Sequence, residues 1–126
     1  MKQVLAVAAG GALGSVLRFW MSTWVHGITG RGFPYGTLAV NVLGSFVMGL
    51  LCVLLIDKLN VSLEWRAALL TGVLGGFTTF SSFSMETLTL FEMGEPFKAS
   101  LYILLSIAVC LAATWVGVVV ARQIPL

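Results

Sequence analysis

Three runs of this chain carry no Asp, Glu, Lys or Arg: Gly32 to Ile56, Ala67 to Met85 and Ala99 to Ala121. Each is long enough, wound as a helix, to cross a hydrocarbon core of roughly 30 Å, which takes about 20 residues. A fourth apolar stretch, Gln3 to about His26, holds a single charge, Arg18. In lipid the backbone must satisfy its own polar groups, so long apolar runs select helices. Composition agrees: 59% of residues are hydrophobic and 10% charged, against about half and a quarter in soluble domains. The expected fold is an all-α membrane protein, one transmembrane domain over residues 1–126. Its four helices are placed at about Gln3–His26, Tyr35–Ile56, Glu64–Phe91 and Pro96–Arg122, joined by short loops. Trp20, Trp24, Tyr35 and Trp65 fall where aromatic belts are expected.

Two local readings qualify this frame. Ala6-Val7-Ala8 has the small-x-small form of a cleavage site, but too few apolar residues precede it for a signal peptide. It reads as the start of the first membrane helix. Cys52 and Cys110 each lie in an apolar run and read as small buried residues rather than a disulfide. His26, the one histidine, reads as an interfacial residue at a helix end. No Cys/His cluster suggests a transition metal.

The third helix is expected to be broken around Gly75-Thr79, near mid-membrane. Gly75-Gly76-Phe77-Thr78-Thr79-Phe80-Ser81-Ser82-Phe83-Ser84 places two adjacent glycines and five hydroxyls inside a spanning segment. Irregular backbone at that depth is tolerated only where protein or a water-lined path covers it. Unwinding at Gly75-Gly76 would free carbonyl oxygens, which hold hard cations such as Na⁺; a simple glycine kink is the plainer alternative. Phe77, Phe80 and Phe83 recur every three residues, and Phe80 and Phe83 share a helix face. They suit helix packing, yet ring edges also carry partial positive charge and can face an anion.

The remaining polar inventory favours donors. Asn41 is the one amide inside a span, able to bond a neighbouring helix or to offer its NH₂ to an ion. Tyr102 and Ser106 share a face of the fourth helix, with Cys110 and Thr114 further along. Thr37 and Glu86 lie toward helix ends. Arg18 is the sole cation within a helix, a position that is usually functional or snorkelling. Neutral donors plus Arg18 favour a small anion over a cation, held by fixed dipoles that replace its hydration shell. Gly10 with Gly14, and Gly72 with Gly76, have the spacing of close helix contacts.

Orientation is poorly encoded. Lys2, Lys58, Arg66 and Arg122 fall on one side; Arg31 and Lys98, with Arg18 near that end, fall on the other. The seven cations divide almost evenly, so the positive-inside rule gives little preference. Either one topology is weakly biased, or chains insert both ways and pair antiparallel. Four spans enclose little polar lumen alone, which favours a path built between subunits.

These residues bring the chain close to a known family. It resembles the Fluc (CrcB) fluoride channels over essentially its whole length. The resemblance rests on Gly10-Gly11-Ala12-Leu13-Gly14-Ser15-Val16-Leu17-Arg18, on Gly36-Thr37-Leu38-Ala39-Val40-Asn41-Val42-Leu43-Gly44-Ser45-Phe46, and above all on Gly75 to Ser84. It implies a dual-topology antiparallel homodimer with two pores in the cell inner (plasma) membrane, giving passive, selective fluoride export. It implies Phe80 and Phe83 as a pore-lining aromatic pair and Asn41 as an amide donor in the pore. Ser81, Thr37, Tyr102 and Ser106 would be polar-track residues, and Arg18 a vestibule cation. The Gly75 and Thr78 carbonyls would be ligands of a structural Na⁺ at the dimer axis. Cys110 departs from the hydroxyl residue expected at its position.

The rival is a small multidrug-type transporter, also a four-helix dual-topology dimer. Those proteins depend on a membrane-embedded glutamate in the first helix, and this chain has none there. A non-conducting membrane subunit would use the polar residues only for packing. No paired acid and base and no activated nucleophile suggests an enzyme, and nothing suggests nucleic acid as a partner.

Overall fold

The computed structural model describes residues 1–126. It is all-helical, with no strand. Helix α1 spans Lys2–Thr29 and α2 spans Tyr35–Lys58, the last part of α2, Val53–Lys58, being π-helical. Helix α3 covers residues 63–77: an α-turn Leu63–Arg66, a π-helical run Ala67–Leu74, and a last turn Gly75–Phe77. Helix α4 is Phe80–Glu92 and α5 is Pro96–Gln123. Four segments are long and apolar enough to cross a membrane: Lys2–Thr29, Tyr35–Lys58, Leu63–Glu92 and Pro96–Gln123.

The ends follow local chemistry. Pro96 opens α5 at the position where a missing N–H costs nothing. The Ser62 side chain accepts from the Trp65 amide and caps α3. Gly94, with φ +74°, follows α4 where the chain must turn left-handed. Between α2 and α3, Arg66 donates to the Val61 carbonyl at 3.0 Å and to Asn60 Oδ1 at 2.7 Å. These bonds hold the one non-glycine residue of positive φ, Asn60 at +48°.

Backbone contact at glycines assembles the bundle. Along α1 and α3, a methyl group at Gly10 would overlap the Ala68 carbonyl, and one at Gly14 the Val73 carbonyl. Gly72 in turn lies against the Gly10 backbone, and Gly76 against the Gly11 carbonyl and Ser15. Along α2 and α5 the arrangement is reciprocal: Gly49 lies against the Thr114 carbonyl and Gly117 against the Phe46 carbonyl. Lipid offers helices no hydrophobic reason to associate, so such close approach is what pairs them. Only 20 of 126 residues are buried, so most apolar side chains, including Trp20, Trp24, Leu104 and Trp115, face outward as a lipid-facing surface requires. The protein is a multi-pass membrane protein.

One tie closes the cation-bearing end. Lys58 Nζ donates to the Arg122 carbonyl at 3.1 Å and also to the Ile124 carbonyl, at the C-terminal end of α5. A cation there complements the helix dipole. Lys58→Met is expected to lower stability by only about 0.3–1 kcal/mol, read as a small drop in the unfolding midpoint in detergent.

The interruption of the third span lies beyond the glycines. Gly75 is helical, with φ −63° and ψ −36°. The residues out of helix are Thr78 (φ −81°, ψ 158°) and Thr79 (φ −151°, ψ 120°). This corrects the expectation of unwinding at Gly75-Gly76. The glycines are needed where they are helical: Gly76 must fit against Gly11 and Ser15 of α1. The threonines leave the helix because their neighbourhood supplies substitute hydrogen bonds.

Candidate ion pathway

Several hydroxyls within the spans bond their own helix. Thr78, Ser84, Thr87, Thr89 and Thr114 each donate to the carbonyl four residues earlier, at 2.7–3.0 Å. Those groups are spent. Other hydroxyls are not, and several of them line two cavities.

The first cavity, about 430 Å³, lies between α2, α4 and α5. Asn41, Ser45, Phe80, Phe83, Ser106 and Cys110 are among its lining residues. The second, about 280 Å³, lies between α1, α2 and α4, with Ser15, Arg18, Ser22, Thr37, Thr79 and Ser82 on its walls. Thr79 lines both. No acidic residue lines either cavity. A third cavity, at the helix ends, collects His26, Arg31, Glu86, Glu95 and Lys98. Glu86 connects it inward, accepting from Thr37 Oγ1 at 2.7 Å.

Asn41 is held by both ends of its amide. Its Nδ2 donates to the Thr79 carbonyl at 3.0 Å, and its Oδ1 accepts from the Thr79 amide at 2.8 Å. This ties α2 to the extended pair between α3 and α4. One Nδ2 hydrogen stays free, since the group carries two. Thr79 Oγ1 in turn accepts from the Ser82 amide at 3.2 Å, capping α4. In an unbroken helix the Thr79 and Ser82 amides would bond the Gly75 and Thr78 carbonyls. Here both amides are engaged elsewhere.

Aromatic rings run from the first cavity toward the end of the bundle. Phe80 and Phe83 have centroids 5.4 Å apart, Phe83 and Tyr102 5.0 Å, and Phe33 meets Tyr102 edge-on at 5.5 Å. Phe80 is 78% exposed while Tyr102 is fully buried. The tilted and edge-on rings present CH edges as well as faces.

Three buried polar atoms have no partner: Tyr102 Oη, Ser106 Oγ and Arg18 Nε. Buried polar groups are almost always satisfied, so each exception asks for an explanation. Each of these can donate. A ligand with only acceptor character would satisfy them.

The sequence-predicted residues thus separate. Asn41, Phe80, Phe83 and Ser106 come together on the first cavity, and Thr78 joins them. Arg18 and Thr37 come together on the second. Tyr102 lies behind Phe83 in an apolar cluster with Phe33, Leu90 and Ala99. Ser81 is exposed and lines neither cavity; its Oγ sits 3.4 Å from Thr79 Oγ1. Gly75 is exposed in the last turn of α3. Ser15, Ser22 and Ser45 were not singled out. Their signal was spacing: Ser15 and Ser22 flank Arg18 on one face of α1, and Ser45 lies one turn after Asn41.

Comparison with known proteins supplies the remaining observation. Residues 5–118 match the family described as CrcB-like protein, Camphor Resistance (CrcB). A protein of Rhizobium etli is 48% identical over 98% of this chain and 99% of its own length, and one of Geobacter sulfurreducens is 49% identical over 98% and 100%. A relative from Methylococcus capsulatus is 54% identical over 96% of this chain, which spans only 53% of that longer protein. All three relatives are named fluoride-specific ion channel FluC.

Proposed function

The chain belongs to the CrcB family, and from that premise we propose that it is a fluoride-selective channel, not an enzyme, passing fluoride down its gradient and so protecting the cell from it. The observation that carries this reading is the set of unpartnered buried donors: Ser106 and Arg18 on cavities that no carboxylate lines, and Tyr102 behind Phe83. Fluoride is small and accepts only, so it suits hydroxyl, amide and ring-edge donors. Fixed dipoles of this kind can replace a hydration shell. Phe80, Phe83, Asn41 and Ser106 would line its path, Thr37 and Tyr102 would extend the polar track, and Arg18 would draw anions to a vestibule. Ser81 would join only where a second chain covers its exposed face.

The working unit is an antiparallel, dual-topology homodimer in the inner membrane, with two pores. The nearly even split of Lys and Arg favours it, and so does Phe80, which one chain leaves 78% exposed. The third span, broken at Thr78-Thr79, would cross its symmetry mate at the dimer axis. The Gly75 and Thr78 carbonyls suit a structural Na⁺ there. Neither accepts a hydrogen bond within the chain, because the amides that would bond them in a helix are taken by Asn41 and Thr79. Unpartnered carbonyl oxygens are ligands for hard cations. When bound, the ion would supply positive charge beside the anion path.

The test is flux. Purified protein in liposomes should release fluoride and retain chloride under the same gradient. Folded protein that passes neither ion, or passes both equally, overturns the reading. No observation favours the multidrug-type alternative, since α1 contains no acid.

A further inference from the structure

Resting on the sodium reading above, we propose that Thr79 and Asn41 are positioning residues for the cation, acting by occupying the two backbone amides that would otherwise close onto its carbonyl ligands. The hydrogen bonds pair one to one. The natural helical donor to the Gly75 carbonyl is the Thr79 amide, and it is held at 2.8 Å by Asn41 Oδ1. The natural donor to the Thr78 carbonyl is the Ser82 amide, and it is held at 3.2 Å by Thr79 Oγ1. Thr78 and Thr79 are extended as a result. The next carbonyl along the chain, that of Thr79, receives Asn41 Nδ2 at 3.0 Å and is not open. The Gly75 and Thr78 oxygens are therefore left free, while the oxygen that follows them is filled.

Depth makes this arrangement informative. At a water-exposed helix end, solvent would satisfy loose carbonyls and a side-chain cap would be incidental. Inside a spanning segment an unsatisfied carbonyl is costly. Two side chains that hold amides away from carbonyls at that depth would be destabilising, unless something else binds the oxygens. A hard cation does so. Asn41 also lines the first cavity, so one amide shapes both the cation ligands and the wall along which the anion would pass.

The discriminating residue is Thr79. Thr79→Val keeps the β-branched shape and removes the hydroxyl. The Ser82 amide is then free to bond the Thr78 carbonyl and compete with the cation. Thr79→Ser retains the cap. The readout is sodium-dependent stability of the full-length protein in detergent, followed as unfolding midpoint against NaCl, with choline chloride holding ionic strength constant. A ligand that binds only the folded state raises the midpoint with concentration. The half-maximal sodium concentration should rise about tenfold in Thr79→Val, the equivalent of one hydrogen bond, and return to near the wild-type value in Thr79→Ser. Thr79→Ala, with the same loss of hydroxyl, gives a second measure should the valine variant not fold. A wild-type protein without a sodium-specific rise overturns the cation reading and this inference together. A rise that Thr79→Val and Thr79→Ala keep unchanged overturns the inference alone. Neither outcome depends on fluoride flux.

Discussion

Asn41→Asp lowers fluoride efflux from liposomes at least about 100-fold at neutral pH while the protein still elutes as a folded species. The substitution is nearly isosteric. Oδ1 can still accept from the Thr79 amide, now at 2.8 Å. The other atom changes from a donor to a carboxylate oxygen facing the Thr79 carbonyl, where Nδ2 now donates at 3.0 Å. Losing that bond and leaving two oxygens opposed costs about 1–3 kcal/mol. The larger effect falls on the anion. A full negative charge about 4 Å from its path, at an effective dielectric near 20, repels it by about 4 kcal/mol. The rate falls tenfold for each 1.4 kcal/mol or so, so electrostatics alone exceeds the stated drop. Efflux within threefold of wild type would remove Asn41 from the pathway.

Gly49→Val prevents recovery of monodisperse protein, whereas Gly27→Ala leaves it intact or slightly stabilised. Both are helical glycines, and their surroundings decide the outcome. A Cβ at Gly49 would run into the Thr114 carbonyl and crowd the Val118 amide. Those are backbone atoms and cannot rotate away. Overpacking of a tight contact costs about 1–3 kcal/mol or more even for a single methyl, and valine adds two further carbons. Gly117 on the facing helix has the same problem in reverse, so α2 and α5 would have to separate along their length. Gly27 has nothing within 4 Å of an added Cβ. There alanine removes a glycine entropy penalty of about 0.5–1 kcal/mol. Size-exclusion profiles and melting in detergent check both, and a normal Gly49→Val protein would refute the backbone-contact account.

Much of the scaffold was legible because it depends on one-dimensional quantities. Charge-free runs located the spans, and four-residue glycine spacing marked close-contact faces on α1 and α3, though not that the two faces meet each other. The partner of Asn41 was not legible: Thr79 is 38 positions away, and only packing of α2 on the third span brings them together. The break was visible as excess polarity around Gly75-Thr79, but the unwinding falls on Thr78-Thr79 and not on the glycines. Glycine signals either a break or a close contact, and the neighbour that decides, Gly11 with Ser15, is on another helix. The π-helical runs Val53–Lys58 and Ala67–Leu74 left no recognisable mark, since apolar residues fit either helical form. Hydroxyl density was also ambiguous. Thr87 and Thr89 bond the Phe83 and Met85 carbonyls of their own helix, Ser106 bonds none, and nothing in the residue types separates them.

The glycine seams also bear on the order in which the molecule can assemble. Glycine has no rotamers to lose, whereas fixing a long side chain costs up to about 1.5–2 kcal/mol in entropy. Contacts of Gly10, Gly14 and Gly72 between α1 and α3, and of Gly49 and Gly117 between α2 and α5, can form with no side-chain search at those points. Two helix pairs can therefore dock before Arg18, Glu86, Phe80 and Phe83 have settled. A frame that can form in this way leaves the costlier side-chain ordering to the polar interior.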